Sequence, residues 1–219
     1  MHKLIQRNQD KFERLYSLYE DYNSHTNISA IRDKAEILVK HFEDSLSILE
    51  FIDFDKDVKV LDLGSGGGFP VLPLALVLPE VKFTALDATA KKTKFIEIVK
   101  SELSLNNLEI VNARAEELAH EEIYRESFDF ILARAVAQLN ILLELSCGFL
   151  KVKGSLMAYK AVDIEAELQA SASSQKALNL SLVRKFPVST DKQILQFNKG
   201  KALKPELPRS FQAIKSKPL

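Results

Sequence analysis

Four of the seven glycines in this chain fall within five positions, Gly64-Ser65-Gly66-Gly67-Gly68, directly after the β-rich run Val58-Lys59-Val60-Leu61-Asp62-Leu63. A glycine-rich turn that leaves a buried first strand and opens a helix lets backbone approach a ligand closely, in the crevice beyond the carboxyl ends of the strands. The spacing is Asp62-x-Gly64-x-Gly66-x-Gly68. A dinucleotide fingerprint would need glycine at position 69, which is Phe69, and a phosphate loop would need a following Gly-Lys-Ser/Thr, which is absent. Twenty-three residues beyond Gly64, Asp87 closes Thr84-Ala85-Leu86-Asp87. A carboxylate at a strand end can accept both hydroxyl protons of an adenosine ribose, or it can cap the next helix. Asn112-Ala113-Arg114-Ala115-Glu116, after the third strand, is either an ordinary loop or a place where backbone groups and a short side chain read an adenine ring.

These residues need a scaffold, and the chain alternates between strand-like and helix-like segments. Helix is expected from about Val71, strand at Lys82 to Leu86, helix from about Ala90 to Ser104 and strand at Leu108 to Val111. A polar, Glu-rich segment runs to Glu126, then strand at Phe128 to Ala133, helix from about Gln138 to Phe149 and strand at Ser155 to Lys160. Asp163 to about Leu178 looks helical, and Ser181 to Phe186 and Gln193 to Asn198 look like an antiparallel pair joined by Pro187 to Asp191. Such β-α alternation argues for an open, mostly parallel sheet with helices on its faces. Ahead of it, Leu4, Phe12, Leu15, Tyr19 and Tyr22 fall on one face of a helix spanning Met1 to about Tyr22, beside a stripe of Lys3, Arg7, Lys11 and Arg14. The stripe suits either a solvated packing helix or a phosphate-facing surface. A second helix is expected from Asp33 to Phe51, with Asp33 as N-cap and Glu36 as its capping-box partner. His41 and Asp44 share a face there and are expected to brace the N-terminal helices against the sheet.

At 46% hydrophobic and 27% charged residues the composition is that of an ordinary globular chain, which excludes a disordered tail or a fibre. The longest apolar run, Val71 to Leu78, is far short of the about 20 residues a membrane helix needs, and the N-terminus lacks the apolar core of a secretory signal. A cytoplasmic protein is expected. One cysteine and four scattered histidines offer no zinc spacing, so no metal is expected, and Cys147 reads as inert core. The zero net charge hides an asymmetry: the last 44 residues carry 10 basic and 2 acidic side chains. A basic end on a neutral protein is one sign of a polyanionic partner.

The Asp-x-Gly-x-Gly-x-Gly turn resembles that of S-adenosylmethionine-dependent methyltransferases, whose ligand carries an amino-acid end in place of a pyrophosphate. A more specific resemblance extends along nearly the whole chain. Asn27-Ile28-Ser29-Ala30-Ile31, His41-Phe42-Glu43-Asp44-Ser45-Leu46, Leu61 to Pro70, Lys91-Lys92-Thr93-Lys94-Phe95, Arg114-Ala115-Glu116, Ala133-Arg134-Ala135-Val136-Ala137, Leu207-Pro208-Arg209 and Lys217-Pro218-Leu219 follow in order. Together they resemble the RsmG (GidB) family, bacterial enzymes that make 7-methylguanosine in 16S ribosomal RNA. The resemblance implies an α/β, class I (Rossmann-like) methyltransferase: a doubly wound, mostly parallel seven-stranded sheet with an antiparallel C-terminal strand. Residues 1–55 would form a helical cap, 56–198 the S-adenosyl-L-methionine-binding domain, and 199–219 a basic tail on its surface.

It further implies that Gly64, Gly66, Gly68 and Phe69 border the methionine part of the cofactor, Asp87, Ala88 and Thr89 the ribose, and Ala115 and Glu116 the adenine. Arg134 would lie in the active cleft as the one candidate catalytic residue, serving the guanine edge, a phosphate or the cofactor carboxylate. Lys3, Arg7, Lys11, Arg14, Lys91, Lys92, Lys94 and Arg209 would face 16S RNA, free or within the 30S subunit or an assembly intermediate, with the enzyme a monomer. Ala88 and Ala90 stand where the family has bulkier or polar residues, and Lys92 where arginine is common. Guanine nitrogen 7 has a lone pair and no proton to lose, so in-line attack on a sulfonium methyl asks for positioning rather than a general base. The absence of an obvious nucleophile or acid-base pair fits that chemistry. A metabolite methyltransferase of the same fold and a non-catalytic cofactor-binding assembly factor are the competing readings.

Overall fold

The computed structural model describes residues 2–219. Two short-linked helices, α1 (His2–Arg7) and α2 (Gln9–Thr26), replace the single expected N-terminal helix. The break is at Asn8, whose side-chain amide donates to the Leu4 carbonyl 3.0 Å away. Helix α2 outruns the expected end near Tyr22 because it buries Phe12, Leu15, Tyr19 and Asn23, a stripe at helical spacing that continues into the polar stretch. Each large apolar side chain buried this way is worth about 1.5–3 kcal/mol. Asn27 then ends it in the left-handed region at φ 51°.

The next helical run starts at α3 (Lys34–Ile37), where the Asp33 carboxylate accepts the Glu36 N–H at 3.0 Å. Glu36 does not close the reciprocal half of the capping box; its carboxylate takes Lys40 instead, at 2.6 Å. The run widens into a π-helical turn over Leu38–Glu43, returns as α4 (Asp44–Leu46) and tightens to a 3-10 turn at Ser47–Glu50.

The remaining order is β1 (Lys59–Leu63), α5 (Val71–Val77), β2 (Lys82–Leu86), α6 (Ala90–Glu102), β3 (Leu108–Val111), α7 (Ala115–Leu118), β4 (Phe128–Arg134) and α8 (Leu139–Cys147). Then follow β5 (Leu150–Ala161), α9 (Glu165–Ala170), α10 (Ala172–Ala177), β6 (Leu180–Pro187), β7 (Lys192–Lys199) and α11 (Phe211–Ser216). One seven-stranded sheet has the order β3-β2-β1-β4-β5-β7-β6. The pairs β2 with β3, β1 with β4 and β4 with β5 are parallel, while β7 runs antiparallel to both β5 and β6. This is the class I methyltransferase architecture with N-terminal helices. After their first residue β1 and β2 are buried throughout, as strands covered on both faces must be.

By contacts the chain divides into two compact units, one made of the residues up to Val58 with Gly64–Asn112, the other of Lys59–Leu63 with Ala113–Leu219. In the second unit the expected surface tail is tied inward. Lys199 is fully buried and donates to Glu126 and to the Cys147 and Leu150 carbonyls at 2.6, 2.7 and 2.9 Å. Arg209 grips the fully buried Glu144 with Nε and Nη2 at 2.7 and 2.6 Å, and its own N–H joins them at 3.0 Å. Arg125 holds the Leu207 and Lys204 carbonyls, and Ile214 of α11 is buried. Charge along this segment reads as solvent-facing in the sequence. Buried Glu144 and half-buried Glu126 make part of that charge internal.

Candidate active site

The first unit builds the glycine turn. Gly64 and Ser65 donate their N–H groups to the Leu86 carbonyl at 2.8 and 2.9 Å, which docks the end of the turn on β2. Gly64, Gly66 and Gly68 all have positive φ, 70°, 56° and 84°, a region in which side chains are strained. The two later glycines have different reasons to be glycine. A Cβ on Gly68 would lie 2.3 Å from Leu72 Cδ1, so that position is closed by packing. A Cβ on Gly66 would meet only the Gly64 carbonyl, at 3.8 Å, and would otherwise project into open space.

Asp87 completes the cradle. Its Oδ2 accepts the Gly66 N–H at 2.9 Å and its Oδ1 the Thr89 N–H at 2.8 Å, with the Lys92 ammonium 3.9 Å from Oδ2. The cap of α6 is Thr89 and not Asp87, although Asp87 does organise that helix start. An ionised carboxylate offers about four acceptor positions, so two remain for a pair of ribose hydroxyls. Ala88 beside it is exposed and Thr89 half-buried. The Asn112 side chain donates to the Asp87 carbonyl at 2.8 Å, so this residue positions the acid. Ser65 is 1% exposed, and its hydroxyl oxygen has no hydrogen-bond partner among the described residues. An orphaned hydroxyl, an open face over Gly66 and a half-used carboxylate fit a nucleoside ligand with a polar amino-acid end.

Phe69 is held from the N-terminal helices. The π-helical turn brings the His41 ring onto the Phe69 ring, stacked at 4.4 Å and 3°, while His41 Nε2 lies 3.3 Å from the Tyr19 hydroxyl and 3.2 Å from Ser29 Oγ. The expected bracing by His41 is therefore directed at the glycine turn. Of the basic residues in this unit, Arg14 pairs with Glu102 at 2.5 Å and the Lys91 ammonium donates to the Thr26 carbonyl at 3.2 Å. Lys3, Arg7, Lys11 and Lys94 are exposed, and Lys92 is half-buried beside Asp87.

In the second unit, Ala115 and Glu116 are half-buried in the first turn of α7, and Arg134 is the last residue of β4. Ala135 follows it in the left-handed region at φ 55°, a conformation that costs a residue with a Cβ about 1–3 kcal/mol and that concentrates at functional sites. Arg209 is committed to Glu144 and is 26% exposed at its side chain. The Ser65 hydroxyl and the Ala135 conformation were not singled out from the sequence, and Asn112, which opens the segment read as a loop or an adenine contact, turns its side chain to the Asp87 carbonyl. An exposed alanine next to an arginine at a strand end carries no composition signal for its backbone angle.

A family model described as GidB, rRNA small subunit methyltransferase G, matches residues 8–195. The ribosomal RNA small subunit methyltransferase G of Fusobacterium nucleatum is 40% identical over 204 residues, covering 91% of this chain and 86% of that one. The chain belongs to the rRNA small subunit methyltransferase G family. The member from Streptococcus agalactiae is 34% identical over 99% of this chain and 93% of its own length. Among solved structures, a SAM-dependent methyltransferase from Aquifex aeolicus superposes with a TM-score of 0.62 at 16% identity, over 80% of this chain and 97% of that one. The fibrillarin pre-rRNA processing protein of Methanococcus jannaschii reaches 0.55 at 16% identity, over 73% of this chain and 75% of that one. At those identities the structural matches establish the fold alone.

Proposed function

We infer that this chain transfers the methyl group of S-adenosyl-L-methionine to nitrogen 7 of a guanine in 16S ribosomal RNA. The observation that carries the cofactor half is the Asp87 carboxylate, which ties Gly66 to Thr89 and still has acceptor capacity to spare. The cofactor supplies an electrophilic methyl on a sulfonium. Asp87 then takes the ribose hydroxyls, the open face over Gly66 admits the ligand, and the orphaned Ser65 hydroxyl lies within the turn that meets the amino-acid end. No proton has to leave nitrogen 7, so these residues position reactants and exclude water without acting as a base.

The RNA half rests on family membership and on exposed cations. Lys3, Arg7, Lys11 and Lys94 stand out from α1, α2 and α6 and can neutralise phosphates, while Arg134 offers a fork of donors to a guanine edge or a phosphate. We place the reaction in the cytoplasm, on the 30S particle or a precursor of it, by a monomer that needs no metal ion. The test is the salt dependence of methylation with 16S RNA and 30S subunits as substrates. Rates that fall steeply between 50 and 200 mM salt support a phosphate-bound substrate. A rate indifferent to salt, with a small molecule accepting the methyl, would overturn it.

A further inference from the structure

The loop between β4 and α8 carries no polar side chain of its own between Arg134 and Gln138: it reads Ala135-Val136-Ala137. It nevertheless holds Ala135 in the left-handed region at φ 55°. Strain of this kind persists only when the surroundings over-determine the backbone. The determinants come from outside the loop. Lys160, near the end of β5 and one residue beyond Tyr159, the register partner of Arg134, donates from Nζ to the Ala137 carbonyl at 2.9 Å. The same ammonium pairs with Glu167 Oε1 of α9 at 2.5 Å, and that oxygen also accepts the N–H of Leu139, the first residue of α8. Both side chains are largely covered, at 14% and 27% exposure.

We propose that Lys160 and Glu167 are positioning residues for methyl transfer, clamping the Arg134–Gln138 loop in the shape that presents Arg134 to the guanine. A covered ion pair contributes little net stability compared with apolar side chains of similar size, so stability does not explain why this one is here. Geometry does: one end of the loop is fixed by the strand, the other by Glu167 at the helix start, and the carbonyl between them by Lys160. The proposal rests on the reading of the chain as a guanine methyltransferase, and its test separates the two.

Lys160→Met removes the donor, and Lys160→Met with Glu167→Met removes both charges together, which guards against misfolding from one uncompensated charge. A misplacement of about 1 Å can cost about 100-fold in rate. The expected result is a fall in kcat of tenfold or more on 30S subunits with the S-adenosylmethionine Kd within twofold of wild type. Hydrogen exchange across residues 133–141 should be faster by tenfold or more, and Lys160→Arg should restore part of the rate. Wild-type kcat in both variants, unchanged exchange in the loop, or an equal loss of cofactor affinity would overturn the clamp. If the wild-type protein methylates no guanine, the functional reading fails, and exchange in the loop still decides whether the clamp exists.

Discussion

Two alanine substitutions two residues apart in one turn should have opposite signatures. Gly66→Ala places a methyl in open space, with only the Gly64 carbonyl at 3.8 Å, so the fold loses about 1–2 kcal/mol from the left-handed backbone alone. That methyl then occupies the face the cofactor needs. Forcing an extra methyl into a filled site costs about 1–3 kcal/mol. This corresponds to a Kd for S-adenosylmethionine raised about 5- to 150-fold. Gly68→Ala instead drives a Cβ to 2.3 Å from Leu72 Cδ1 at φ 84°. Strain and overpacking together cost about 2–5 kcal/mol, and for a chain of this size that lowers Tm by about 4–20 °C. Calorimetry of cofactor binding and scanning calorimetry of the same samples read both quantities. Wild-type cofactor affinity in folded Gly66→Ala would refute the placement of the ligand, and an unchanged Tm in Gly68→Ala would refute the packing argument.

Asp87→Asn should weaken cofactor binding by tenfold or more, because the amide retains one acceptor oxygen where the carboxylate has two already engaged by Gly66 and Thr89; an unaltered Kd would remove Asp87 from the ribose site. Arg209→Ala leaves the fully buried Glu144 without its guanidinium partner, with only the backbone N–H of residue 209 remaining, and should cost about 3–5 kcal/mol in a denaturant melt, whereas a loss confined to RNA affinity would return Arg209 to the RNA surface. Burial alone would raise the Glu126 pKa, but the Lys199 ammonium and the Leu203 N–H outweigh it and hold the carboxyl below its ordinary 4.5. Its stabilising contribution is therefore complete above that value and lost as pH falls through the lower folded one; Tm against pH should drop on that acid limb, and Glu126→Gln should flatten it. Burial pushes the Cys147 thiol up to about 12, so it should resist alkylation at pH 8 in the folded protein and react only on unfolding.

The glycine turn, the acid at position 87 and the strand positions were legible because each follows from a local rule. Strands β2 and β3 match their expected ranges, since short β-rich runs bounded by polar turns leave little room for slippage. Strand β5 is the counter-example: it begins at Leu150, five residues ahead of the expected start, because Lys151-Val152-Lys153-Gly154 looks like a turn and the strand runs through it as a bulge, with Lys153 at φ 73° and the register stepping from Phe128–Leu150 to Phe130–Ser155. The helix expected from Asp163 to Leu178 is two helices meeting at Ser171, whose hydroxyl turns back to the Leu168 carbonyl. What the sequence concealed depends on residues far apart in the chain. Glu144 is the one charged residue of a largely apolar helix, and nothing near it announces Arg209, 65 residues on, as its partner. Lys160 and Glu167 read as two more surface charges until the loop they hold is seen.

The central claim is the reaction itself, and one measurement tests it most directly. The protein is incubated with radiolabelled S-adenosylmethionine and 30S subunits or 16S RNA from cells lacking this activity. The RNA is then digested to nucleosides and the labelled product identified by mass. The account predicts label in 7-methylguanosine. Label in another nucleoside, or none on RNA while cofactor binding is intact, would contradict it.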